Sequence, residues 1–257
     1  MCSYPPIYYT SYTRNLINKE FIPRSAIITT TLNPLQKSQI QSLHSTFPVD
    51  EADLFAVFEI DGIIRSAAAF IPEGDNMYEC YAFTEPAFRQ KGFFTELLDL
   101  AIETLPEDTA FLFYTNGTDP DTQAALLALE AESVLAEHMM EISLNSYRTV
   151  DTELSENSLT MTVSTIDETL TRQYSNPYGS VNISVFSSYY YLYGLEIKED
   201  HRGKGYGNQL LNLVLHDLAS SNPLPLRLQV SGENVPAVSL YKKTGFQITE
   251  TLFGYLY

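Results

Sequence analysis

From His201 to Asn208 the chain reads His-Arg-Gly-Lys-Gly-Tyr-Gly-Asn, a run dense in glycine and cations. Glycines let a backbone curl until successive N–H groups point into one concavity. A helix opening there adds its unsatisfied first-turn donors and the positive end of its dipole. Such a loop suits a phosphate or pyrophosphate. It is not a P-loop, lacking the further Gly-Lys-Ser/Thr, and its spacing does not fit the dinucleotide pattern GxGxxG; glycines also make ordinary tight turns. Nearby, Tyr189-Tyr190-Tyr191 and Tyr193 either line an acceptor pocket or are ordinary strand formers. His201 and His216 stand alone and read as surface residues, without the partners of a triad or a metal site. Cys2 and Cys80 are far apart and outside any metal-ligand spacing, so both read as reduced thiols and no metal is expected.

The elements that must hold this loop can be read on either side of it. Tyr189 to Lys198 reads as a strand before it, and Gly207 to Leu218 as a helix with Leu210, Leu211, Val214, Leu215 and Leu218 on one face. Leu226 to Val230 is a strand, Val235 to Thr244 a short helix closed by Gly245, and Phe246 to Tyr257 a last strand. Upstream, Leu159 to Ser164 and Ser180 to Ser188 are strands. The first half has a similar order. Asn33-Pro34 opens a helix running to His44, and Leu54–Ile60 and Ile63–Ile71 flank Asp61-Gly62 as a hairpin. Tyr78 to Thr84 is a strand, Phe93 to Leu105 an amphipathic helix ended by Pro106, Phe111 to Thr115 a strand, and Asp121 to Glu137 a helix by its Ala, Leu and Glu content.

Register supports a repeat. Gly92 and Gly205 differ by 113, and that offset pairs Arg89 with Arg202, Lys91 with Lys204, Phe93 with Tyr206 and Leu97-Leu98 with Leu210-Leu211. Continued without a gap, it sets Glu196 opposite Phe83, Asn234 opposite Asp121 and Tyr241 opposite Ala128. The first copy also ends its loop on Phe94 where the second has Gly207.

Arg202-Gly203-Lys204-Gly205-Tyr206-Gly207 matches the R/Q-x-x-G-x-G/A motif of the GNAT superfamily of N-acetyltransferases, after a strand and opening a helix. Leu228-Gln229-Val230, Asn234, Ala237 and Leu240-Tyr241-Lys242-Lys243-Thr244-Gly245-Phe246 resemble that family's second cofactor-binding segment. The resemblance covers about residues 159–257 and extends more weakly over 54–144. It implies an α+β fold of two tandem GNAT-like domains, each a mixed, mostly antiparallel twisted sheet flanked by helices. The N-terminal one (1–147) is degenerate and the C-terminal one (158–257) catalytic, joined by a linker at 148–157.

It further implies that acetyl-CoA is the co-substrate, its pyrophosphate held by the amides of Gly203, Lys204, Gly205, Tyr206, Gly207 and Asn208, with Arg202 and Lys204 adding positive charge. Leu195 and Ile197 would offer backbone groups to the pantetheine arm and thioester, Asn234 would hydrogen-bond the cofactor, and Tyr241 would protonate the departing thiolate. The base that frees the amine is open among Glu196, Tyr191, Tyr193 and a water relay. The implied activity is acetyl transfer to a primary amine by direct attack. The alternative is a silent acyl-CoA-binding or regulatory module.

Composition agrees with a small-molecule role. The chain has 257 residues, 15 Lys+Arg against 32 Asp+Glu and a net charge of −17, a field that repels nucleic-acid backbones and anionic membrane surfaces. Of these, 8 basic and 21 acidic residues lie up to Val150, so the excess acid sits in the half without the better loop. A small amine is the expected partner, a cationic one favoured by that charge. No apolar run approaches the ~20 residues that span a bilayer, and the start has no basic region followed by an apolar one, so a cytoplasmic protein is expected.

Overall fold

The structure is a computed structural model that describes residues 7–9, 24–74, 76–147, 159–166 and 169–257. The expected linker at 148–157 and Cys2 lie outside these residues. The chain forms two compact units. One holds residues 1–134 with Gly254–Tyr257, and the other Leu135–Phe253.

In the first unit, strands β1 (Ile7–Tyr9), β2 (Arg24–Thr29), β3 (Leu54–Ile60), β4 (Ile63–Gly74), β5 (Met77–Thr84) and β6 (Ala110–Thr115) lie in that spatial order. All neighbours are antiparallel except β5 and β6. The hairpin between β3 and β4 turns on Asp61 and Gly62, both at positive φ, as a tight hairpin turn requires. Helix α1 (Pro34–Leu43) starts at a capping box in which Asn33 accepts from the Gln36 amide and Gln36 from the Asn33 amide.

Alternation then sorts the side chains. Ala56, Phe58, Ala68 and Phe70 pack with Leu97, Leu98 and Ala101 of α2 (Phe93–Thr104) on one face. Phe55, Val57, Ala67 and Ala69 pack with Ile40 of α1 on the other. Cys80 is buried, which pushes its thiol pKa up and leaves it inert.

In the second unit the spatial order is β7 (Glu132–Ile142), β12 (Leu226–Ser231), β11 (Tyr190–Ile197), β10 (Gly179–Val185), β9 (Thr169–Asn176) and β8 (Thr160–Ile166). Only β11 and β12 run parallel among these neighbours. Helix α4 (Tyr206–Ser221) buries Leu210, Leu211, Val214, Leu215 and Leu218 against Val181, Ile183, Tyr190 and Leu192. Helix α5 (Val235–Lys243) and the start of β13 (Gln247–Leu256) follow β12.

The expected helix Asp121–Glu137 is corrected: α3 (Pro120–Ala128) stops after nine residues, and Glu132–Ile142 is β7. Glu130 at φ 57° turns the chain, and Glu137 to Ile142 of β7 then pair with β12, burying Met140 and Ile142 on alternate positions. Helix propensity is a weak local preference, and this pairing overrides it. Sequence reading also misses β2 and β9. In β9, Thr, Arg, Gln and Ser conceal a strand whose one fully buried aromatic is Tyr174.

Each unit contains the same local hardware. Arg89 Nε donates to the Thr84 carbonyl at 3.1 Å, and Arg202 Nε to the Ile197 carbonyl at 2.9 Å. Lys91 Nζ donates to the Ala87 carbonyl and Lys204 Nζ to that of Asp200, each at 2.7 Å. All four pairs keep the offset of 113. The offset then becomes 115, because α4 has 16 residues to the 12 of α2 while the connections before and after the next strand are each one residue shorter in the second unit. The N-caps Asp119 and Asn234 are equivalent, and the bond from the Ala131 amide to the Leu126 carbonyl matches that from Phe246 to Tyr241. The counterpart of Tyr241 is therefore Leu126, not Ala128, and that of Asn234 is Asp119, not Asp121.

Candidate active site

Strands β11 and β12 pair at only two positions, Tyr190 with Leu226 and Tyr191 with Arg227. From Leu192 onward, β11 presents that edge without a partner from β12. On its other side, β10 sets Asn182 opposite Tyr193 and Ser180 opposite Glu196, so Val181 faces both Gly194 and Leu195. This is a β-bulge, and Gly194 adopts φ +60° to make it. The bulge bends β11 where it leaves β12. A glycine inside an aromatic strand was the available sequence signal for it.

Leu195 and Ile197 follow the bulge, and their side chains pack onto the core beneath α4. Their backbone groups lie on the stretch of β11 without β12 pairing. The strand leads into a turn at Glu199–His201 and then the glycine loop. Gly203 and Gly205 stand at φ +71° and +85°, with nothing within 4 Å of where a side chain would begin. Gly205 caps α4 without a side-chain bond, and the first amide bonded back into the helix is that of Gln209. The amides of Tyr206, Gly207 and Asn208 thus remain free of helical partners and gather at the dipole's positive end. At Gly207 a Cβ would stand 3.4 Å from Leu240 and 3.6 Å from Ile197, in ordinary van der Waals contact.

Arg202 and Lys204 do more than add charge. Their bonds to the Ile197 and Asp200 carbonyls tie the loop to the end of β11. Two residues that sequence reasoning missed complete the brace. The Tyr178 ring stacks on Tyr206 at 3.8 Å with His201 edge-on to both, and the Lys198 amide donates to the Tyr178 carbonyl. Gly179 is required beside it, because a Cβ would fall 2.2 Å from the Glu196 carbonyl oxygen.

Asn234 caps α5, its Oδ1 accepting from the Ala237 amide at 3.2 Å, so only its amide nitrogen is free to donate to a ligand. Tyr241 is 7% exposed and lies edge-on to Phe246. Burial pushes its phenol up to about 12. Its hydroxyl has no hydrogen-bond partner among the described residues, yet is not sealed from solvent. Glu196 is exposed and shares with Tyr191 and Tyr193 the sheet face opposite α4. Among the described residues no cluster of His, Cys, Asp or Glu could hold a metal ion, and no helix is long and apolar enough to cross a membrane.

In the first unit's loop the arginine is engaged by carboxylates. Arg89 pairs with Asp121 at 2.9 Å and reaches Asp119 at 3.7 Å, and that hydrogen bond holds the Asp121 carboxyl below its ordinary value. Arg89, the counterpart of Arg202, is therefore already paired with carboxylates of its own unit. Pairing of β4 with β5 is continuous from Ser66 to Pro72, without a bulge opposite that of β11.

Residues 148–246 match the model of the Acetyltransferase (GNAT) family. The uncharacterized N-acetyltransferase YobR of Bacillus subtilis (strain 168) is 39% identical over 64 residues, which are 25% of this chain and 26% of that protein. The chain thus matches about a quarter of that curated relative's length. Among solved structures, a GCN5-related N-acetyltransferase from Sphaerobacter thermophilus aligns with a TM-score of 0.53 at 12% identity, covering 86% of this chain and 85% of that one. A tandem GNAT protein from the clavulanic acid biosynthesis pathway aligns at 0.51 and 14% identity, covering 79% and 82%. Identities this low show the fold alone: the chain has the α+β fold of GNAT proteins. The family match adds support for an acetyltransferase of that family.

Proposed function

We propose that the protein moves an acetyl group from acetyl-CoA to a primary amine by direct attack. In this reading residues 1–147 are a degenerate copy, 158–257 the catalytic one, and the protein works in the cytoplasm. The observation that carries it is the parting of β11 from β12 directly before the Gly203–Asn208 amides. An extended arm laid against the unpaired edge of β11 ends at a helix N-terminus, where its pyrophosphate is bound.

The residues then divide the work. Backbone groups of Leu195 and Ile197 align the thioester, and an N–H on that edge stabilises negative charge on its carbonyl oxygen as the amine nitrogen attacks. Glu196, or a water it holds, takes the proton the ammonium must lose. As the new C–N bond forms and the C–S bond breaks, Tyr241 donates to the departing thiolate. Asn234 offers its free amide nitrogen to the pantetheine arm.

The first copy supports a division of labour. Leu126 stands at the position of Tyr241 and offers no proton, and Asp119 and Asp121 neutralise Arg89. Tyr81 and Phe83 pack with His44 and Phe47 on the face where the second copy carries Glu196.

The deciding measurement is acetyl-CoA-dependent thiol release across primary amines, with the Tyr241→Phe protein in parallel. Binding without turnover is the second reading, favoured by the burial of Tyr241 against Phe246. Cofactor affinity with no thiol release from any amine selects it.

A further inference from the structure

The two faces of the second unit's sheet differ in kind. Helix α4 covers the face of Tyr174, Val181, Ile183, Tyr190 and Leu192. On the opposite face, register sets Thr171, Ser184 and Tyr191 side by side across β9, β10 and β11, with Gln173, Asn182 and Tyr193 in the next row. Glu196, opposite Ser180, continues that face beyond the bulge. In the first unit the corresponding positions pack Phe55, Val57, Ala67 and Ala69 under α1.

Two details separate these rows from an ordinary solvated surface. Thr171 is 2% exposed, and its Oγ1 is buried without a hydrogen-bond partner among the described residues. Such a hydroxyl costs about 1–3 kcal/mol while unpaired. Asn182 is accommodated by Gly194, where a Cβ would stand 3.0 Å from its Nδ2.

We propose that this face is the acceptor subsite, and that the acceptor is a polyhydroxylated primary amine of the amino-sugar class. The assignment rests on the acetyl-transfer reading. Sugar hydroxyls both donate and accept, as do the hydroxyls of Thr171 and Ser184 and the amides of Gln173 and Asn182. Glu196 alone supplies negative charge in these rows. That suits one ammonium, whereas a polyamine calls for several carboxylates. A plain alkylamine leaves the polar groups unpaired, the situation in which a site discriminates most strongly.

The test pairs two readouts on the full chain: thiol release with glucosamine, spermidine and propylamine, and calorimetric binding of glucosamine alone. The expected kcat/KM for glucosamine exceeds that for propylamine by about tenfold or more. Thr171→Val and Gln173→Leu each lower it about three- to tenfold at unchanged acetyl-CoA KM, and Thr171→Ser restores it. Equal turnover of propylamine or spermidine, or variants without effect, overturns the assignment. If no amine releases thiol, the transfer reading fails and calorimetry decides separately. Glucosamine binding that is lost in Gln173→Leu upholds the subsite, and absence of binding ends it.

Discussion

Tyr241 combines burial, which favours packing, with an unpartnered hydroxyl, which favours a proton or hydrogen-bond donor. Its phenol, pushed up to about 12, stays protonated throughout the neutral and mildly alkaline range. A thiolate of ordinary pKa about 8.5 is a weaker base than the Tyr241 phenolate, so full proton transfer is uphill and donation of a hydrogen bond carries much of the stabilisation. Tyr241→Phe is expected to lower kcat about a hundredfold with acetyl-CoA affinity changed less than about threefold, measured by steady-state kinetics and calorimetry. An unchanged kcat removes the role. The alkaline limb follows in sign: Tyr241 causes no fall in kcat between pH 7 and about 9.5, because the donor form is the protonated one and the shift is upward. For stability, a raised value leaves folding unaffected below the ordinary pKa of about 10, and ionisation of Tyr241 destabilises the fold only above it.

The turn from β11 into α4 combines a bulge, two left-handed glycines and an aromatic brace. Gly205 has space around it but φ +85°, so Gly205→Val strains the backbone without a clash. Acetyl-CoA KM is expected to rise about tenfold or more while kcat at saturation is largely kept, because the amides are re-aimed and the reacting atoms are untouched. A drop confined to kcat contradicts the loop's assignment. The equivalent loop of the first copy predicts the reverse of binding: with Arg89 held by Asp121, calorimetry should return one acetyl-CoA per chain. A stoichiometry of two overturns the degenerate reading.

Over the whole chain, the division into two compact units does not follow sequence order. Most of β7 belongs to the second unit, and Gly254–Tyr257 to the first, where Tyr257 and Phe111 exchange backbone bonds at 2.8 and 2.9 Å. Deleting Gly254–Tyr257 is expected to expose the β6 edge, lower the melting temperature by several degrees and abolish hydrogen-exchange protection at Phe111. Retained protection there would show that β6 does not depend on this strand. The acidic excess of the first half makes a separate expectation. A cationic acceptor's KM should rise with ionic strength, and a salt-independent KM rules out electrostatic attraction.

Much of the site is legible in the residues because its signals are local. The glycine loop, the helix with Leu210, Leu211, Val214 and Leu215 on one face, and the Asp61-Gly62 hairpin depend on periodicity and on conformations only certain residues adopt. The likeness of the two glycine loops shows for the same reason, through an offset of 113 that holds across them. The strand Glu132–Ile142, the counterpart of Tyr241 and the partners of Gly254–Tyr257 are not local. They depend on which edges pair across the fold and on a net register shift of two residues from a longer helix and shorter connections, and neither leaves a mark on nearby composition. The polar rows on β9, β10 and β11 are of this second kind, because their residues stand far apart in sequence and only register brings Thr171, Ser184 and Tyr191 onto one line.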